Sequence, residues 1–298
     1  MFFRYNKLIK YALRIKKKDV KKVNTLGCIT KTLAQATLPH TNPKLPIGTL
    51  YSRSTGQLIF SIIPTSPNYG IPYGSIPRLI LAWICSEVIK TKKRILFLGK
   101  SQSDFLKQIN LHNNGRDIAR FREQALRLFK SVISIEYNDE KKNNFSSRLL
   151  ISESSHIFWN TKTRKKKWES SLELSDGFFR EIIDASVPID IRIFHALSKS
   201  PLAMDIYTWL VYRIFILQKS KLSSVFISWI NLKFQFGVGY PNTNQGFRDF
   251  KKRFRLRLKE VLFFYKKAKR HVRENKIGLI ITSCDLHISK LNSKNKND

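Results

Sequence analysis

Ala203, Ile206, Leu210, Ile214 and Leu217 recur at three- and four-residue steps, and Tyr207, Val211 and Phe215 make the flank beside them apolar too. Such spacing places the stripe on one helical face, and the second apolar flank implies burial on more than one side. Ser200 stands where a cap belongs, and Pro201 falls in the first turn, where its missing N–H costs nothing. The stretch from Ser200 to Arg213 is the element around which the rest is expected to pack. Upstream, Pro77 opens a helix over Arg78–Lys90, with Leu81, Ile84 and Val88 inward and Trp83 beside them. Arg94–Leu98 reads as a short apolar strand. Ser101, with Asp104 three residues on, starts a second helix in capping-box fashion. A loop from His112 to Gly115 leads to a third, whose inward stripe is Ile118, Phe121, Ala125, Leu128, Phe129 and Val132. Strands over Val132–Tyr137 and Arg148–Trp159 follow, around the polar loop Asn138–Ser147.

The pattern then repeats. Beyond the central helix, Val225–Ile227 reads as a strand and Ser228 caps a helix carrying Ile230, Leu232 and Phe234. The loop Gly237–Gly246 leads to a long helix with Phe247, Phe250, Phe254, Leu258, Val261, Leu262 and Tyr265 on one face. His271–Arg273 and Gly278–Thr282 form a hairpin turning at Glu274–Lys276. Helix–strand–helix–helix–strand–loop–strand is the order of a winged helix. The fold expected is therefore α+β, two tandem winged-helix domains with a basic, poorly ordered N-terminal arm and C-terminal tail. The arm covers 1–50, the first domain 51–160, a connector 161–199, the second domain 200–287 and the tail 288–298. Within the connector, Ser171–Leu174 reads as a strand, Ser175 and Asp190 as helix caps, and Pro188 as a breaker.

Charge sharpens this picture. Lys and Arg number 55 against 21 Asp and Glu, a net charge of +34, so the partners expected are polyanions. An AT-rich genome favours Lys and Asn by itself, but much of the Arg falls on helix faces. On the first unit's third helix Arg116, Arg120 and Arg127 recur opposite the apolar stripe, with Gln124 nearby. On the long helix Arg248, Lys252, Arg255 and Lys259 line the polar face, joined by Lys251, Arg253 and Arg257. Asn244, Gln245 and Arg248 stand at its start, and Asn114 and Arg116 at the start of the other. These residue types make bidentate contacts to base edges. Arg273 and Lys276 sit in the hairpin, where a backbone contact is expected. Neutralising six phosphates would give a log–log salt slope of about −5.

Other chemistries find little support. Phe97-Leu98-Gly99-Lys100-Ser101 imitates a phosphate loop, but the glycine needed five residues before Gly99 is Arg94. Six scattered histidines, His40, His112, His156, His195, His271 and His287, include no His-x-His and no His-Glu-x-x-His, so neither a metal nor another cofactor is expected. Asp184 with Asp190, or Asp139 with Glu140, fit charge balance or capping better than acid–base work. Cys28, Cys85 and Cys284 lie far apart with no CxxC, which suits a reducing cytosol. No signal peptide or spanning run appears, and no small-molecule substrate or membrane partner is expected. A membrane-surface or RNA binder driven by bulk charge, a metal-dependent nicking enzyme and a DNA-binding autorepressor are the competing readings.

Over roughly residues 69–287 the chain resembles the plasmid-encoded RepA replication initiators. The likeness rests on Tyr73-Gly74-Ser75-Ile76-Pro77-Arg78-Leu79-Ile80-Leu81-Ala82-Trp83, on Phe97 to Leu106, on Arg120-Phe121-Arg122-Glu123-Gln124 with Arg127-Leu128-Phe129, and on Leu174-Ser175-Asp176-Gly177-Phe178-Phe179. It continues through Val187-Pro188-Ile189-Asp190, Ser200 to Leu210 and Ile227-Ser228-Trp229. The resemblance implies a non-enzymatic cytoplasmic protein that binds double-stranded DNA at its plasmid's origin and starts replication. It implies host initiator and helicase proteins as partners, and it leaves a homodimer open. The Lys-Asn run at Asp139–Asn144 departs from the family pattern.

Overall fold

The structure is a computed structural model and describes residues 26–35, 37–54, 58–139, 142–156 and 170–288. The strand β1 (Leu26–Thr30) leads into a short helix, α1 (Lys31–Gln35). The hairpin strands β2 (Tyr51–Ser54) and β3 (Leu58–Pro64) pair antiparallel. A first unit then unfolds in order: α2 (Ser75–Thr91), β4 (Ile95–Phe97), α3 (Gln102–Gln108) and α4 (Gly115–Phe129).

The next strands depart from expectation. β5 (Ser131–Asp139) and β6 (Lys142–Leu150) form a hairpin, but β5 also pairs with β3, giving a four-stranded antiparallel sheet in the order β2-β3-β5-β6. The register sets Ile62 opposite Ile133 and Ile133 opposite Leu149, all buried, so this sheet has its own apolar face. β4 pairs instead with β8 (Ser171–Leu174), and β8 with β7 (Ser152–His156). The pair β5 and β6, which flanks the polar loop expected at Asn138–Ser147, therefore belongs to another sheet. The position between the last two strands of the unit's own sheet falls to the segment between β7 and β8, whose residues 157–169 lie outside those described.

The stretch expected as a connector is built into the body. β8 completes the first unit's sheet. After it, α5 (Asp176–Ala185) is capped by Ser175, whose hydroxyl accepts from the Phe178 N–H, as expected. β9 (Ser186–Asp190) then pairs antiparallel with β1, 160 residues upstream, and Asp190 caps α6 (Ile191–Ala196). Cys28, Ile29, Leu33, Ala34 and Leu38 are buried in the main core, so the part of the expected arm from Leu26 onward is structural rather than loose. The arm before Leu26 and the tail after Ile288 lie outside the described residues.

The second unit comprises α7 (Pro201–Ser220), β10 (Ser224–Ser228), α8 (Trp229–Phe236), α9 (Asn244–Phe264), β11 (Val272–Glu274) and β12 (Gly278–Thr282), with a 3-10 turn at Lys266–Arg270 before β11. Its sheet order is β10-β12-β11, first strand, last strand, middle strand. The first unit's β4-β8-β7 has the same order. Side chains repeat as well. Trp83 meets Phe105 edge-on at 4.8 Å and Phe105 meets Phe121 at 5.4 Å; Trp209 meets Phe236 edge-on at 5.6 Å and Phe236 meets Phe254 at 5.5 Å. Each triad ties the three helices of its unit together. Both opening helices also end on a left-handed lysine, Lys92 (φ 59°) and Lys221 (φ 55°). Each of these lysines sends its N–H back to a carbonyl four residues earlier.

The helix α7 is buried almost all round, from Leu202 to Tyr212, and one continuous apolar core runs through both units. A charged joint crosses that core. Arg78 on α2 grips Asp205 on α7 with two parallel bonds of 2.6 Å, and its remaining N–H groups donate to the carbonyls of Gly74 and Leu38 at 2.6 Å. His40 adds a contact to Asp205 at 2.8 Å. Burial alone would raise the Asp205 carboxyl, but the Arg78 charge and the bonds from Arg78 and His40 hold it below its ordinary value.

Candidate nucleic-acid interface

Helix α9 owes its position to its apolar side. Phe250, Phe254, Leu258 and Val261 are buried against α7 and α8. Thr243 caps it, accepting from the Gly246 N–H at 3.1 Å. Gly246 sits so close to Pro241 that a Cβ there would lie 2.3 Å from the Pro241 carbonyl, so any larger residue would push the first turn away. With its apolar side fixed, the polar side faces out: Asn244, Gln245, Arg248, Lys252, Arg255 and Lys259 are all exposed. At 1.5 Å per residue the helix is about 31 Å long, and such a rod fits a DNA major groove.

Several of these side chains have work within the protein. Gln245 donates to Asp249 at 3.0 Å. Arg255 reaches Glu274 on β11 at 2.7 and 2.5 Å and lies 5.1 Å from the centre of the Trp229 ring. It thus tethers α9 to the hairpin that carries Arg273 and Lys276, both exposed. Lys251 is half-buried, its ammonium over the rings of Phe247 and Trp229. Arg257, expected among the outward cations, is buried and paired with Glu260 at 2.5 Å. The hairpin turn is held by Asn275, whose side-chain oxygen accepts from the N–H groups of Ile277 and Gly278.

On α4 the outcome differs. Arg116 and Arg120 are exposed, Arg120 within 3.5 Å of Asp117. Gln124, expected to face DNA, is buried: its side-chain oxygen accepts from the Tyr73 N–H at 2.8 Å. Arg127 is half-buried, paired with Glu123 at 2.6 Å, donating to the Ile71 carbonyl at 3.2 Å and lying over the Tyr73 ring. Asn114 is the helix cap, accepting from the Asp117 N–H at 2.9 Å. The reason is local. The segment leading into α2 passes across α4, and its unpaired backbone groups need partners.

Ser101, at the end of the false phosphate loop, caps α3 by accepting from the Asp104 N–H, as expected. Among the described side chains the histidines do not converge. His40 holds Asp205, His271 contacts Thr282 and His287 stacks on Tyr265 at 4.5 Å. Among the described residues no group of three His, Cys, Asp or Glu side chains is placed to hold a metal ion. No described helix is long and apolar enough to cross a membrane.

Taken together, the chain is an α+β protein with two three-stranded sheets of matching strand order, one shared core, and a last long helix that turns a cationic face to solvent. A family model described as plasmid encoded RepA protein matches residues 71–231, just over half of the chain. The chain belongs to the plasmid-encoded RepA family. Among solved structures, the crystal structure of the RctB domains 2-3 is similar at 12% identity, covering 85% of this chain and 97% of that one, with a TM-score of 0.41. The selenomethionine derivative of domain 2 and domain 3 of RctB is similar at 12% identity, over 85% and 96%, with a TM-score of 0.44. No curated protein matches.

Proposed function

We propose that the chain is a plasmid replication initiator that binds repeated duplex sequences at its own origin through two winged-helix units. Membership of the RepA family supports a part in plasmid replication, and the matched sheet orders of the two units support the winged-helix reading. The observation that carries the DNA reading is the exposed row Arg248, Lys252, Arg255 and Lys259 on a helix whose other face is locked in the core. In this reading α9 enters the major groove, Asn244, Gln245 and Arg248 reach base edges, and Arg273 and Lys276 grip the flanking backbone. Arg116 and Arg120 make a second, weaker footprint. Bending the duplex between the two strains an adjacent AT-rich segment towards opening, where host initiator and helicase proteins are recruited. The chain acts without catalysis of its own, in the cytoplasm.

Footprinting on the plasmid's origin tests this. Arg248→Glu with Lys252→Glu is expected to erase protection while the thermal unfolding midpoint stays in place, because both side chains are exposed. Unchanged protection by that folded variant would overturn α9 as the reading helix. Nicking of supercoiled origin DNA by the pure protein with a divalent metal would overturn the non-enzymatic reading.

A further inference from the structure

A cleft of about 520 Å³ opens between the 37–53 segment and the second unit, away from the outward face of α9. Its walls are the 37–43 loop, β2, the first turn of α7 and the loop between α8 and α9. Three cationic side chains contribute to it, Arg53 from β2, Lys199 before α7 and Arg253 from α9, and His40 adds a fourth nitrogen-bearing group. Among the described residues, no Asp or Glu side chain lines it. Asp205 lies behind His40 and is already held by Arg78. Tyr51, Tyr240 and Phe236 supply aromatic wall. The volume falls within the range of small-molecule sites.

Arg53 is the telling residue. It lies over the Phe60 ring, and its Nη1 donates to the backbone carbonyls of Phe234 and Gln235. Its Nε is sealed from water with no hydrogen-bond partner. Burial pulls the guanidinium down to about 10, a charge held at a cost with no carboxylate bonded to it. The N-terminus of the 20-residue α7 opens on the same space through Ser200, Pro201 and Leu202, adding the positive end of a helix dipole. A strained cation, two further cations and a helix N-terminus around an acid-free cavity call for an anion.

We propose that this cleft binds a phosphate-bearing ligand of nucleotide size, its phosphates on Arg53, Lys199 and Arg253 and its ring among the aromatic side chains. Residues of the 37–53 segment and of the second unit line it, so the ligand ties that segment to the second unit. The phosphate can come from a free nucleotide or from a nucleic-acid backbone. The site does not depend on the α9 ridge, and its test is independent of origin binding.

The experiment is calorimetric titration of the full chain with ATP, adenosine and inorganic phosphate at physiological salt. ATP is expected to bind saturably, with adenosine weaker by about tenfold or more, the loss that goes with removing charge-assisted bonds. Lys199→Gln with Arg253→Gln is expected to weaken ATP by about tenfold without moving the unfolding midpoint, since both residues are exposed. Arg248→Gln with Lys252→Gln removes equal charge from the α9 ridge and leaves ATP binding as it was. Equal loss in the two pairs, adenosine binding as tightly as ATP, or no saturable binding of ATP overturns the site. Repeating the titration on protein saturated with duplex DNA separates the sources. ATP binding that persists assigns a free nucleotide; ATP binding that vanishes in the wild type assigns a backbone phosphate.

Discussion

Helices α4 and α9 hold the same place in the two units and present different surfaces. Each is capped by a polar side chain and anchored by the last ring of its aromatic triad, Phe121 or Phe254. Yet α9 carries seven basic and two acidic residues, against four and two on α4. The count understates the contrast. On α4, Gln124 and Arg127 turn to the backbone of the 71–73 segment. On α9, Arg248, Lys252 and Lys259 stay at the surface. A polar stripe stays open to solvent only where no neighbouring backbone claims its side chains.

The largest test of that contrast is DNA affinity. Arg248→Glu with Lys252→Glu is expected to abolish origin binding, whereas Arg116→Glu with Arg120→Glu weakens it and flattens the log–log salt slope by about 2. Gel-shift titrations across salt concentrations would measure both. Equal losses from the two pairs would erase the distinction between the helices.

Next comes the joint between the units. Asp205→Asn removes the charge that Arg78 grips and is expected to cost about 3–5 kcal/mol, because a buried guanidinium is left uncompensated. Urea unfolding would show it, and would show whether α4 and α9 still melt in a single transition.

Acid has a smaller, stepwise effect. Burial pulls His195 and His287 to about 4. The unfolded chain therefore binds their protons first, between about pH 6.5 and 4, and stability falls as pH drops through that window. The loss is about 3 kcal/mol per histidine. Asp205, held low, adds its own loss at still lower pH. His287→Phe keeps a ring on Tyr265 and is expected to flatten the pH profile of the urea midpoint; an unchanged profile would remove His287 from the account.

The smallest change is the most diagnostic for α4. Gln124→Leu leaves the Tyr73 N–H without its acceptor and is expected to lower stability by about 1–3 kcal/mol. The affinity for origin DNA at fixed salt should not move. A clear loss of affinity by the folded variant would return Gln124 to the DNA interface.

What could be read from the residues is uneven, for physical reasons. The helices were legible, because their apolar stripes and caps are local: Ser101, Ser175, Asp190, Ser200 and Ser228 all cap as their positions suggest. The repeat of element order was legible too, and the two three-stranded sheets share one strand order. Strand pairing was not. β1 finds β9 across 160 residues, and β4 chooses β8 over the nearer hairpin, choices that depend on which edges the folded core leaves open. The same limit hid the roles of Gln124, Arg127 and Arg257. Their spacing fits a solvent face, and only the neighbouring segment or carboxylate draws them in. The cleft around Arg53 was invisible, since its lining comes from stretches that sequence order keeps far apart.

The Arg78–Asp205 grip has a geometric corollary. It rivets the opening helix of one half to the opening helix of the other, inside grease, where slippage would expose bare charge. The two halves therefore cannot be spread apart like a pair of jaws to suit what lies between them. A long partner would have to adjust its own pitch and curvature to the protein, and the molecule would act as a gauge of distance.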